Sequence, residues 1–102
     1  MSKIYVGDVG DIIRLNANPL ELEEVDIATA NTFKILVKKP DKTLKEWTAT
    51  RYGETDKIQY LTKEGDFDIK GTYKLQAYIA WTLPASGHRG ETARIKVYEA
   101  FK

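Results

Sequence analysis

The segment from residue 71 to 81, GTYKLQAYIAW, constrains the fold most, because it alternates in hydrophobicity over a longer run than any other part of the chain. Five residues share the apolar parity: Tyr73, Leu75, Ala77, Ile79 and Trp81. An apolar residue at every second position is typical of a β-strand with one face in a core. We therefore expect a long strand here, with the rest of the chain packed around it.

A polar turn precedes this strand. Asp66, Asp68 and Gly71 accept turn geometry, and Tyr73 stands two residues after the glycine, where β-sandwiches commonly place a corner tyrosine. Leu75 takes the position that a cysteine holds in antibody domains. We predict structural roles for Asp68, Gly71, Tyr73 and Leu75.

The middle of the chain predicts a hairpin. Residues 32–38 alternate cleanly, with Phe33, Ile35 and Val37 on one face. Residues 39–43 contain Pro-Asp, which favours a turn. Residues 44–52 return as a second strand, and Trp47 is its natural core anchor.

The remaining segments are shorter. Residues 3–6 and 12–15 predict one broken edge strand, 57–62 a short strand and 90–101 the final strand. Residues 20–27 carry acidic side chains on an irregular pattern, which favours a loop or bulge, or one helical turn. Residues 82–90, TLPASGHRG, predict an exposed hairpin loop. Together these features predict a single domain over residues 1–102, an antiparallel immunoglobulin-like β-sandwich of about seven to eight strands.

Composition limits the chemistry. The 102 residues include no cysteine, which excludes thiol catalysis, thiolate metal sites and disulfides. With 16 basic and 15 acidic residues the net charge is +1, which does not favour nucleic acid as a partner. No apolar run approaches the roughly 20 residues of a membrane span, and the N-terminus lacks a signal-peptide core.

Candidate catalytic and metal sites are weak. Ser86 and His88 with Asp66 or Asp68 would sketch a catalytic triad, but a serine in a loop tip lacks the rigid elbow that such sites use. Glu64, Asp66 and Asp68 do not have the spacing of an EF-hand. We expect a protein without enzymatic activity, cofactor or metal.

Binding residues are more plausible. The lysines around the predicted hairpin resemble an ordinary solvated turn: Lys34, Lys38, Lys39, Lys42 and Lys45. Trp47 and Trp81 have inward parity, which favours core packing over stacking on bases. Tyr78 and Tyr98 have outward parity on neighbouring predicted strands, and an exposed aromatic pair can stack on a sugar ring. A protein contact would use the same residues.

Three segments, KILVKKPDKTLKEWTA, EGDFDIKGTYKLQAYI and ETARIKVYEAF, resemble small immunoglobulin-like domains of tailed-phage virion proteins, notably the N-terminal domain type of baseplate upper proteins. The turn at Lys38 to Asp41 carries part of the match. The corner carries the rest: Gly65, Asp66, Asp68, Gly71 and Tyr73. The N-terminal strand, Lys3 to Gly10, is similar to that of stand-alone phage proteins. This resemblance brings no catalytic residues.

The resemblance implies a structural protein of the virion, assembled in the host cytoplasm. Its partners would be the major capsid protein or tail and neck subunits, with a head decoration or accessory role as the first expectation. A tail, baseplate or neck component is an alternative, as is an adhesion module that binds cell-surface glycans, and a homo-oligomer stays open. The candidate partner contacts are Lys3, Ile4, Tyr5, Val6, Glu21, Glu23, Glu24, Tyr78, Tyr98, His88 and Arg89. Strand addition at the edge formed by residues 3–6 is one expected mode.

Overall fold

The computed structural model describes residues 4–21, 23, 25–82 and 85–99. The fold is all-β, as the alternating pattern predicts, and the helical element in these ranges is one 3₁₀ turn at Ile27–Thr29. The strands are β1 Ile4–Tyr5, β2 Ile12–Asn16, β3 Thr32–Lys38, β4 Leu44–Thr48, β5 Thr50–Arg51, β6 Lys57–Leu61, β7 Gly71–Thr82 and β8 Ala85–Tyr98. Within the described part of the chain, no helix has the length and apolar character to cross a bilayer.

The strands form two sheets whose inward side chains share one core. Sheet A has the order β1-β8-β7-β3-β4, and sheet B has the order β2-β6-β5. The pairing is antiparallel except that β1 lies parallel to β8, so sheet A is mixed and not antiparallel throughout. The expectation of one broken edge strand was wrong, because β1 and β2 lie in different sheets. The chain crosses between the sheets in the segment that contains Gly7 and Gly10, both at positive φ.

Strand β7 supplies the centre of the core. Tyr73, Leu75, Ala77 and Ile79 are all fully buried, in agreement with their shared parity. Trp81, at the end of the same parity series, is only partly buried. Its indole Nε1 donates a hydrogen bond to Thr29 Oγ1 at 2.9 Å, which attaches the 3₁₀ turn to the strand.

Trp47 anchors an aromatic cluster between the sheets. It is 5% exposed, stacks on Tyr60 with ring centroids 4.8 Å apart, and meets the edge of Phe67 at 5.7 Å. Phe67 in turn packs edge-on against Tyr73 at 5.3 Å. The returning strand predicted over residues 44–52 is interrupted at buried Ala49, and β5 pairs with β6 of sheet B.

The tyrosine corner forms where the sequence places it. Tyr73 Oη donates to the carbonyl of Ile69 at 2.8 Å and accepts from the Ile69 N–H at 3.2 Å. Gly71 has φ 127°, and a Cβ there would lie 2.6 Å from Pro40. The close contact with the β3–β4 turn therefore requires glycine at position 71.

The exposed hairpin loop predicted over residues 82–90 was wrong. Strand β8 begins at Ala85, Thr82 pairs with Ala85, and His88 lies opposite Ile79. Leu83 and Pro84 lie outside the described residues. The glycines that suggested a loop instead permit close packing: a Cβ at Gly90 would meet the backbone of Asn16 and Ala17 in the other sheet.

The described residues of the acidic segment at 20–27 form no strand, in line with its irregular pattern. It leads into the 3₁₀ turn, where the Asp26 side chain caps the Ala28 N–H at 3.1 Å. Ile27 is buried and holds the segment to the core. Leu22 and Glu24 lie outside the described residues.

Candidate protein-binding surfaces

Three cations line up across the outer face of sheet A. Lys38 lies directly opposite Lys74, and Lys74 lies directly opposite Arg94. All three side chains are exposed. Neighbouring strands lie about 4.8 Å apart, so the three positions fall within roughly 10 Å of one another. We call these three residues the basic row.

The charges of the basic row are not balanced by the described residues around them. Like charges directly opposite each other on adjacent strands destabilise a sheet. Glu46, an acidic residue on this face, pairs with Lys34 at 3.1 Å, and the other ion pairs of the described residues do not involve the row. A partner with negative charge would relieve this repulsion.

An open groove of about 820 Å³ lies next to the basic row. Leu36 and Leu44 supply its outward apolar lining, Gln76 and Thr92 bound it on the β7 and β8 side, and Glu46 also lines it. Leu44 is 74% exposed. The outer face of sheet A therefore presents exposed apolar surface directly beside uncompensated positive charge.

The N-terminal edge is less open to strand addition than the sequence suggests. The Tyr5 N–H donates to Asp8 Oδ2 at 2.9 Å, and the Tyr5 carbonyl accepts from the Asp8 N–H at 3.0 Å. The Val6 N–H is bonded to the Tyr98 carbonyl, and the side chains of Ile4 and Val6 pack against the core. Lys3 lies outside the described residues. These contacts cap the edge at Tyr5 and give residues 4–6 a structural role.

The acidic segment presents a second exposed surface. Glu21 and Glu23 are exposed, and Leu20 between them and Pro19 is 77% exposed. The predicted contact Glu24 lies outside the described residues. Two carboxylates and an exposed leucine therefore lie close together in the sequence over residues 20–23.

The two tyrosines of the proposed sugar platform are far apart. Tyr78 lies opposite Arg89, whose guanidinium is 5.5 Å from the ring centroid. Tyr98 lies past the Gly71 end of the same strand pair, roughly 25 Å away along the strands. It packs against Tyr5, with centroids 6.1 Å apart. Tyr78 and Tyr98 therefore do not form a pair that can stack on one sugar.

The polar corner below Trp47 is a structural cluster. Lys39 is 8% exposed and its Nζ donates to Asp68 Oδ1 at 2.7 Å, so this lysine is not the solvated turn residue that was expected. Tyr60 Oη donates to Asp66 Oδ2 at 2.7 Å. Burial, together with this carboxylate, raises the pKa of Tyr60 above its ordinary value. Both bonds tie the turn at residues 63–68 to the sheets.

The residues of the sketched triad are not brought together. Ser86 and His88 lie on β8 opposite Trp81 and Ile79, near the far end of β7. Asp66 and Asp68 precede the start of β7, roughly 25 Å or more away along the strand. Among the described residues, no group of three His, Asp or Glu side chains has the arrangement of a metal site.

Comparisons with known proteins found no matching family model, no similar curated protein and no similar solved structure.

Proposed function

We propose that this chain is an immunoglobulin-like, non-enzymatic structural subunit of a tailed-phage virion, which attaches to other proteins through the outer face of sheet A. The strand orders support the immunoglobulin-like class. The order β8-β7-β3-β4 in sheet A is the order expected for the strands G, F, C and C′ of a variable-type domain, and the order β2-β6-β5 is the one expected for the strands B, E and D. The hydrogen-bonded Tyr73 corner supports the same class.

The basic row is the main observation in support of attachment through this face. A row of like charges weakens the isolated sheet, so its presence is best accounted for by a partner that neutralises it. The neighbouring groove supplies the apolar surface that protein interfaces bury at their centre.

A protein partner is favoured over nucleic acid at this face. Single-stranded nucleic acids are bound by basic grooves that also offer aromatic side chains for base stacking. The groove beside the basic row is lined by Leu36 and Leu44 and contains no aromatic residue among its described lining. Leucines next to cations instead suit a polypeptide that combines acidic and apolar side chains.

A binding role is also favoured over hydrolysis or sugar binding. Binding is favoured over hydrolysis because a triad requires direct contact between its members, and Ser86 and His88 lie far from the two aspartates Asp66 and Asp68. Binding to a protein is favoured over binding to a sugar because Tyr78 and Tyr98 are too far apart to stack on one ring.

The test is incorporation into particles. In a phage that lacks the wild-type gene, the chain with Lys74→Glu and Arg94→Glu should be strongly depleted from purified virions. Both substitutions are exposed and should change the free energy of unfolding by no more than about 0.5 kcal/mol. Lys57→Glu, on the exposed outer face of sheet B, is the matched control and should incorporate like wild type. Normal incorporation of the double variant would contradict attachment through this face.

A further inference from the structure

We propose that the basic row and groove of one copy bind the acidic segment of a second copy, so that the chain associates head to tail. The inference rests on the proposed function only in taking the outer face of sheet A as a protein-binding surface, and it names the partner. The contributing residues are Lys38, Lys74 and Arg94 with Leu36 and Leu44 on one copy, and Leu20, Glu21 and Glu23 on the other.

The two surfaces match in charge. The basic row carries three cations without a described acidic partner. Glu21 and Glu23 are exposed, and no described residue forms an ion pair with either of them. The net charge of +1 opposes association of two copies very little.

The two surfaces also match in exposed apolar groups. Leu20, at 77%, and Leu44, at 74%, are the most exposed large hydrophobic side chains of the described residues. Each lies beside one of the two opposite charge clusters. A contact that places Leu20 of one copy in the groove at Leu36 and Leu44 of the next removes both leucines from water while it brings the charges together.

One copy cannot make this contact with itself. The basic row lies at the Lys38 end of β3, whereas Thr29, which follows the acidic segment, bonds Trp81 next to the Thr32 end. The seven residues of β3 span roughly 20 Å between these ends. Because the two surfaces differ, the contact is heterologous, and each associated pair keeps one free surface of each kind. Association therefore continues to longer chains or closes into a ring.

Sedimentation velocity on the purified full chain tests this geometry. The wild-type chain should show a sedimentation coefficient that rises with concentration at low salt, and this rise should disappear at high salt because the contact is charged. Glu21→Lys with Glu23→Lys should sediment as a monomer, and so should Lys74→Glu with Arg94→Glu. Lys57→Glu should associate like wild type.

Mixing separates a specific contact from general charge effects. The chain with the altered acidic segment keeps its basic row, and the chain with the altered row keeps its acidic segment. An equimolar mixture should associate beyond one-to-one pairs, because the native contact forms between the two intact surfaces and the charge-reversed contact forms between the two altered ones. Combining all four substitutions in one chain should restore association for the same reason. The inference would be overturned if the wild-type chain stayed monomeric at every concentration and salt condition. It would also be overturned if the wild-type chain stayed monomeric and bound a DNA duplex through the basic row. Neither result depends on whether the chain is found in virions.

Discussion

Replacing Trp47 with alanine should lower the free energy of unfolding by about 3–5 kcal/mol, the usual cost of removing a large aromatic side chain from a core. Trp47 is 5% exposed and contacts both Tyr60 and Phe67. Tyr60 belongs to β6 of sheet B, and Phe67 belongs to the turn that precedes β7. The substitution would leave a cavity between the two sheets, where the aromatic cluster packs them together. A domain of this size has only about 5–15 kcal/mol of stability in total, so the change is severe.

Urea-induced unfolding followed by circular dichroism measures this loss. Trp81→Ala is the control, because Trp81 is only partly buried and lies at the end of β7. The control should lose clearly less stability than Trp47→Ala. Equal losses at the two tryptophans would contradict the account of the core.

Substituting Gly90 with alanine should cost about 1–3 kcal/mol, the typical penalty for overpacking. A Cβ at Gly90 would lie 2.5 Å from the Asn16 carbonyl oxygen and 2.7 Å from Ala17 Cα. Both contacts are backbone atoms, at the last residue of β2 and at the residue that follows it, so the clash can be relieved only by moving the backbone.

Gly87→Ala provides the matched control on the same strand. Its Cβ would contact the far end of the Tyr78 side chain, which can swing away without disturbing the backbone. We expect this change to cost less than about 1 kcal/mol. Thermal unfolding of the two variants compares them directly. A Gly87→Ala variant less stable than Gly90→Ala would contradict this account of the close contact at Gly90.

The period-two pattern was sufficient to predict β3 and β7. Both strands lie in the interior of sheet A, where one face is fully buried and parity translates directly into burial, as Ile35 and Leu75 illustrate. The corner was predictable for a local reason, since Tyr73 and Ile69 are only four residues apart. Phe67 was missed, because a single aromatic residue between two aspartates has no periodic signal.

The segment at 82–90 shows where local signals mislead. Proline, serine and two glycines are typical of a loop, but Gly90 is needed for a close contact with the β2 backbone and Gly87 lies against the Tyr78 ring. Those contacts are made with residues distant in the sequence. The change of sheet at Ala49 and the parallel pairing of β1 also depend on such distant contacts.

The candidate surface could not be predicted from the sequence for the same reason. Lys38, Lys74 and Arg94 are widely separated along the chain and become neighbours only through the register of three strands. The sequence instead grouped Lys38 with Lys39, which the structure buries against Asp68. The net charge of the whole chain is only +1, so composition does not indicate the local excess of positive charge on this face.

Quantitative mass spectrometry of purified virions tests the central claim most directly, by comparing copies of this chain with copies of the major capsid protein. We expect the chain to be present in every preparation at a fixed ratio. A near-stoichiometric ratio would identify head decoration, and a ratio of a few per cent would identify the neck, tail or baseplate. Absence of the chain from intact particles would contradict the proposed virion role.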